Sequence, residues 1–127
     1  MGSLVAARLD TGFIEGPTGT ALTPTFALAN IAASQTDANV VTAVSGKRIR
    51  VIGLVVMAGG TATNVTFNSK PGGSGVAISM LFACGANGGA VLPFNPVGWF
   101  QTVSGEGLTV TTGSGATTGI QVVYIEV

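Results

Sequence analysis

The stretch Ala62-Thr63-Asn64-Val65-Thr66-Phe67-Asn68-Ser69 sets the period of the chain. Val65 and Phe67 point one way, and Asn64, Thr66 and Asn68 point the other. A two-residue alternation of this kind is the mark of a strand with one buried face. Leu108 to Thr112 repeats it, with Leu108 and Val110 set against Thr109 and Thr111. Working outward from these two segments, the surrounding chain reads as β throughout.

Three further segments are apolar on both faces. In Val51 to Met57, one face carries Val51, Val55 and Met57, and the other Ile52, Leu54 and Val56. In Ile120 to Val127, Ile120, Val122 and Tyr124 oppose Val123, Ile125 and Val127. In Val76 to Ala83, Val76, Ile78, Met80 and Phe82 share one side, with Leu81 among small residues on the other. A sheet in a two-layer sandwich has only one inward face. A second apolar face therefore needs another cover, and a neighbouring subunit is the natural one.

Turn residues divide these runs. Ser45-Gly46-Lys47 follows a strand near Val40 to Val44, and Lys70 to Gly75 forms a loop. Gly85 to Gly89 and Ser104 to Gly107 are further breaks, and Gly113 to Gly119 is expected to close a last hairpin. The stretch Thr23 to Ser34 admits two readings. Thr23 could cap a helix with Pro24 in its first turn, or a strand could run through Phe26, Leu28 and Ile31. The strand is favoured, since everything after it is β. The expected fold is all-β: an antiparallel β-sandwich of jelly-roll type with about eight strands, spanning 23–127. Residues 1–22, with Gly12, Gly16, Pro17 and Gly19 and scattered apolar positions, are expected as an extended N-terminal arm.

Composition narrows the function. The 127 residues are 46% hydrophobic and only 8% charged, with five basic and five acidic side chains and no histidine. An ordinary soluble domain is roughly 25% charged. So few charges leave a monomer little to keep it apart from its neighbours. The balance also disfavours nucleic acid, which needs a surplus of Lys and Arg. Lys47, Arg48 and Arg50 are the only basic cluster and read as a solvated turn and strand edge. No membrane partner is expected, because the apolar run Val51 to Gly60 is far short of the roughly 20 residues of a membrane helix. Met1 to Gly12 has no long apolar core, so no signal peptide is read, and Ala6 spoils a myristoylation match.

The residues for catalysis are scarce. Without histidine, the usual serine and cysteine triads and most zinc sites have no base or ligand. Cys84 is the sole cysteine and reads as a small buried hydrophobe. Of the acids Asp10, Glu15, Asp37, Glu106 and Glu126, no spacing sets up a facing pair, and no dense carboxylate run suits calcium. Gly113 to Gly119 does not fit a phosphate-binding glycine pattern. No catalytic, metal or cofactor site is expected. Leu92-Pro93-Phe94-Asn95-Pro96-Val97-Gly98-Trp99-Phe100 is the most distinctive segment. It reads either as a rigid corner plugged by Trp99 or as a sugar-stacking platform, with Asn95 and Gln101 the nearest polar groups.

From about Ile31 onward, a series of blocks resembles small structural proteins of tailed phages. They are Ile31 to Ser34, Val44 to Val51, Val65 to Ser69, Asn87 to Pro93, Gly98 to Thr102, Gly105 to Leu108 and Val122 to Ile125. The order of the blocks is similar to that in head-decoration (cement) proteins, whose jelly-roll-like sandwiches form trimeric knobs on the capsid. The resemblance implies a homotrimer on the outer capsid surface of the virion, with the major capsid protein as partner and no catalytic residues. Related sandwiches in tail fibres and tail tips leave a receptor-binding, carbohydrate-recognising module as the alternative. The expected trimer contacts are Val55, Met57, Val123 and Ile125, from the second faces of their strands. The expected capsid grip is the arm around Leu4, Val5, Arg8 and Leu9.

Overall fold

The computed structural model describes residues 14–15 and 21–127, and every regular element among them is a strand. A short pair, β1 (Ile14–Glu15) and β2 (Ala21–Leu22), precedes the sandwich. The chain continues through β3 (Thr25–Ile31), β4 (Ala38–Val41), β5 (Ile49–Ala58) and β6 (Thr63–Lys70). Then come β7 (Val76–Ala77), β8 (Phe82–Cys84), β9 (Gly89–Leu92) and β10 (Phe100–Gln101). The last two are β11 (Gly107–Thr112) and β12 (Thr118–Glu126).

Two antiparallel sheets pack face to face. The first has the order β3-β12-β5, with β9 and β10 both pairing along the far side of β5. The second has the order β4-β11-β6, with β7 and β8 both pairing along the far side of β6. In each sheet, then, one edge position is filled by two short pieces. Between the sheets lies the core. Val51, Leu54, Val56, Ile120 and Val122 come from the first sheet, and Val65, Phe67, Phe82, Leu108 and Val110 from the second. Phe67 anchors it, packed edge-on against Phe82 and tilted against Phe100, with ring centroids 6.0 and 5.3 Å away.

The β reading of Thr23 to Ser34 holds, as β3. Three other expectations change. First, Val51 does not share a face with Val55 and Met57. Opposite β12, Val123 pairs with Gly53 and Tyr124 with Val51, so Ile52 is an extra residue. This bulge reverses the alternation. Val51 turns inward with Leu54 and Val56, and Ile52 turns outward. Second, Val76 to Ala83 is not one strand. The Ser79 hydroxyl accepts the Phe67 N–H at 2.9 Å and donates to the Met80 carbonyl, so a side chain takes a ladder position and β7 stops. Third, Gly113 to Gly119 closes no hairpin. It carries the chain from β11 in one sheet to β12 in the other. The expected N-terminal arm, residues 1–22, lies outside the described residues except at 14–15 and 21–22, which pair antiparallel as β1–β2.

Three of the four sheet edges are interrupted or short. Pro93 and Pro96 lie between β9 and β10, Ser79 lies between β7 and β8, and β4 has four residues, with Val40 as an extra, bulged residue opposite β11. The β3 edge is different. It runs seven residues with no charge, proline or bulge.

Candidate association surface

The outer faces of the two sheets have opposite chemistry. On the β4-β11-β6 sheet, the outward residues are Asn64, Thr66, Asn68, Thr109 and Thr111. Asn68 and Thr109 are tied together by Asp37, whose Oδ1 accepts from Asn68 Nδ2 and Thr109 Oγ1, each at 3.2 Å. Its Oδ2 accepts the Gly75 N–H at 2.9 Å and so fastens the loop after β6 over the sheet. Asn68 also donates to Thr111 Oγ1 at 2.9 Å. As a result Asn68 and Thr109 are buried with their hydrogen bonds made.

The outer face of β9-β5-β12-β3 is apolar and open. Register sets it in rows. Val91, Val55, Gln121 and Leu28 lie side by side across the four strands. On one side of them lie Gly53, Val123 and Phe26, and on the other Met57, Gly119 and Asn30. Leu28 is 74% exposed, Phe26 72%, Val91 68%, Phe94 62%, Met57 50% and Val55 39%. β3 is inverted with respect to its own core. It turns Ala27 and Ala29 inward and its two largest side chains outward. A strand that served only its own sandwich would place them the other way round.

Two depressions mark the face on either side of Val55 and Gln121. Gly119 lies in one, beside Leu28 and Met57, and Gly53 in the other, beside Val91, Phe94 and Val123. At its lower end the face is closed by the chain itself. Ile52 and Ile125 are fully buried there, with Leu22, Val123 and Val127 against them.

Of the four expected trimer contacts, Val55 and Met57 are exposed and Val123 is half-buried on this face. Ile125 lies on the same side of β12 but is covered by Leu22 and Val127, so it presents no surface of its own. Periodicity gave its side correctly and could not reveal that the chain's own β2 segment covers it. Phe26, Leu28, Val91 and Phe94 are exposed on the same face and were not among the expected residues. The signal in β3 was legible: large and small apolar residues alternate from Phe26 to Ala29. The expected capsid-contact residues Leu4, Val5, Arg8 and Leu9 lie outside the described residues.

The Trp99 segment is a braced corner. Trp99 Nε1–H donates to the Pro93 carbonyl at 2.7 Å, and the Asn95 and Trp99 N–H groups donate to Ile52 and Val51 carbonyls at 2.8 Å. The ring borders an apolar slot with Met80, Phe82, Leu92 and Phe100. The two polar groups that a sugar site would use are engaged elsewhere. Asn95 Oδ1 accepts the Val97 N–H, and Gln101 Oε1 accepts Arg50 Nε–H at 2.9 Å.

Among the described residues, no three of His, Cys, Asp and Glu come together as metal ligands. Glu106 accepts the Ser69 hydroxyl at 2.6 Å, and the same Ser69 oxygen accepts the Val103 N–H. Cys84 is buried in the core, and burial pushes its thiol above the ordinary range. Compared with protein-family models, curated proteins and solved structures, the chain has no significant match in any of the three.

Proposed function

We propose that this protein is a structural virion component that decorates and stabilises the outer surface of a tailed-phage capsid as a homotrimer. The observation that carries the reading is the two-sided sandwich. One sheet face is polar and hydrogen-bonded, and the other is apolar and open, in a chain that is only 8% charged. Such a molecule has one side for solvent and one for contact. The ordered blocks between Ile31 and Val127 that resemble head-decoration proteins give the contact its setting. The strand order also supports it. From β3 to β12 the chain crosses between sheets in the order that a jelly roll requires, with β7–β8 and β9–β10 each standing for one strand.

The mechanism is mechanical. A closed trimer suits a local threefold position among capsomers. Seated there, it must be broken along with the shell, and whatever binds only the assembled shell stabilises it by linkage.

Light scattering on the purified protein tests the first half, with a trimer mass expected. A stable monomer at micromolar concentration would remove the reading. Co-sedimentation with capsids lacking the protein tests the second half. Saturable binding is expected that soluble sugars do not compete. Binding to host-surface glycans without binding to capsids would assign the protein to a tail instead.

A further inference from the structure

Gly53 and Gly119 sit in strand interiors with no conformational need to be glycine. Neither has a positive φ, unlike Gly46, Gly98, Gly105 and Gly115. Nor does packing among the described residues require them. A Cβ at Gly53 would meet Val123 Cβ at 3.7 Å and the Leu92 carbonyl at 3.8 Å, both ordinary contacts. A Cβ at Gly119 would meet Asn30 Oδ1 at 3.6 Å and the Met57 carbonyl at 3.9 Å. Gly75 and Gly89 behave differently, because a Cβ there would overlap Asp37 Oδ1 or the Val56 carbonyl. Glycine in a strand costs backbone entropy and gives up packing. Where the fold does not demand it, it marks the close approach of something else.

Both glycines lie on the same outer face, one in each depression. We infer that a second copy of this chain fills them: Gly53 and Gly119 are sockets for side chains that protrude from the same face of a neighbouring subunit. The inference rests on the self-association proposed above and assigns its contact surface. The six exposed apolar residues of the face amount to on the order of 700 Å² of side chain, counting roughly 150–250 Å² for a whole aromatic residue. A standard interface takes roughly 800 Å² from each partner. The face also carries no charge: its rows hold Val, Leu, Phe, Met, Gly, Gln and Asn. A partner matched to it is equally uncharged and apolar, and this face of another copy is such a surface.

The test uses the full chain with Gly53→Ala, Gly119→Ala and, as a stronger probe, Val55→Asp. Circular dichroism checks folding, and sedimentation velocity over a dilution series reads association. Each alanine variant should fold normally, with a melting temperature in its dissociated form equal to or above that of the wild type. Each should raise the dissociation constant at least about tenfold, since a methyl overfills a packed socket. Val55→Asp should be monomeric. Unchanged association in all three variants of a trimeric wild type would overturn the inference but leave the proposed trimer standing on another surface. A monomeric wild type would remove both. If the alanine variants lower the melting temperature with no change in mass, the chain's own N-terminal residues fill the sockets and the inference is again overturned.

Discussion

Asp37 holds more of the structure than any other charged residue described. It adopts a left-handed backbone, φ 54°, a conformation that Asp tolerates better than most side chains. From there its carboxylate reaches Asn68, Thr109 and Gly75, on two strands and a loop. Removing it leaves an amide, a hydroxyl and a backbone N–H without their acceptor in a largely buried setting. Asp37→Ala should therefore lower the unfolding free energy by about 2–3 kcal/mol, as measured by urea denaturation. The loss should be accompanied by faster amide exchange at Gly75. Asp37 was legible in the sequence only as an acid with no partner, because its ligands lie 31 to 72 positions away.

At the scale of elements, alternation predicted well wherever it was unbroken. β6, β11 and β12 bury the residues that a two-residue period assigns to them. It failed where one residue shifted the phase. The Ile52 bulge put Val51 on the wrong side, and nothing in Val51 to Met57 distinguishes a bulged run from a straight one. Ser79 broke a run that looked continuous, and here a signal existed: a hydroxyl among apolar residues that can stand in for the backbone. Ser79→Ala should leave the Phe67 N–H without its partner beside the most buried ring of the core. A loss of about 1–3 kcal/mol is expected in chemical denaturation, with Ser79→Thr recovering part of it. The crossing at Gly113 to Gly119 was unreadable as such, since a loop of this composition serves a hairpin and a crossover equally. Of the candidate association face, the β5 and β12 positions were legible from their second apolar side. The β3 and β9 positions emerge only once register sets them in the same rows.

For the whole molecule, acid–base behaviour is governed by what is buried. Cys84 and Tyr124 both have their acidity weakened, by burial in each case and for Tyr124 also by the neighbouring Glu126. The folded chain thus keeps these two protons to higher pH than the unfolded chain does. Their contribution is fully present at neutral pH. It is lost as pH rises through the ordinary thiol and phenol ranges, where the unfolded state ionises first. Urea midpoints should be level from pH 6 to about 8 and fall toward pH 10.5, with Cys84→Ala flattening the first part of the decline. A decline on the acid side alone would contradict this assignment.

The uninterrupted β3 edge sets a time limit on the free chain. Seven uncharged residues with open backbone groups on one side are a template for any extended segment that arrives. The proposed assembly and fibre-like growth would therefore compete for the same newly folded subunits. Rapid capture in the proposed trimer would protect the chain, and its yield would then depend on how quickly copies meet as well as on how firmly each one folds.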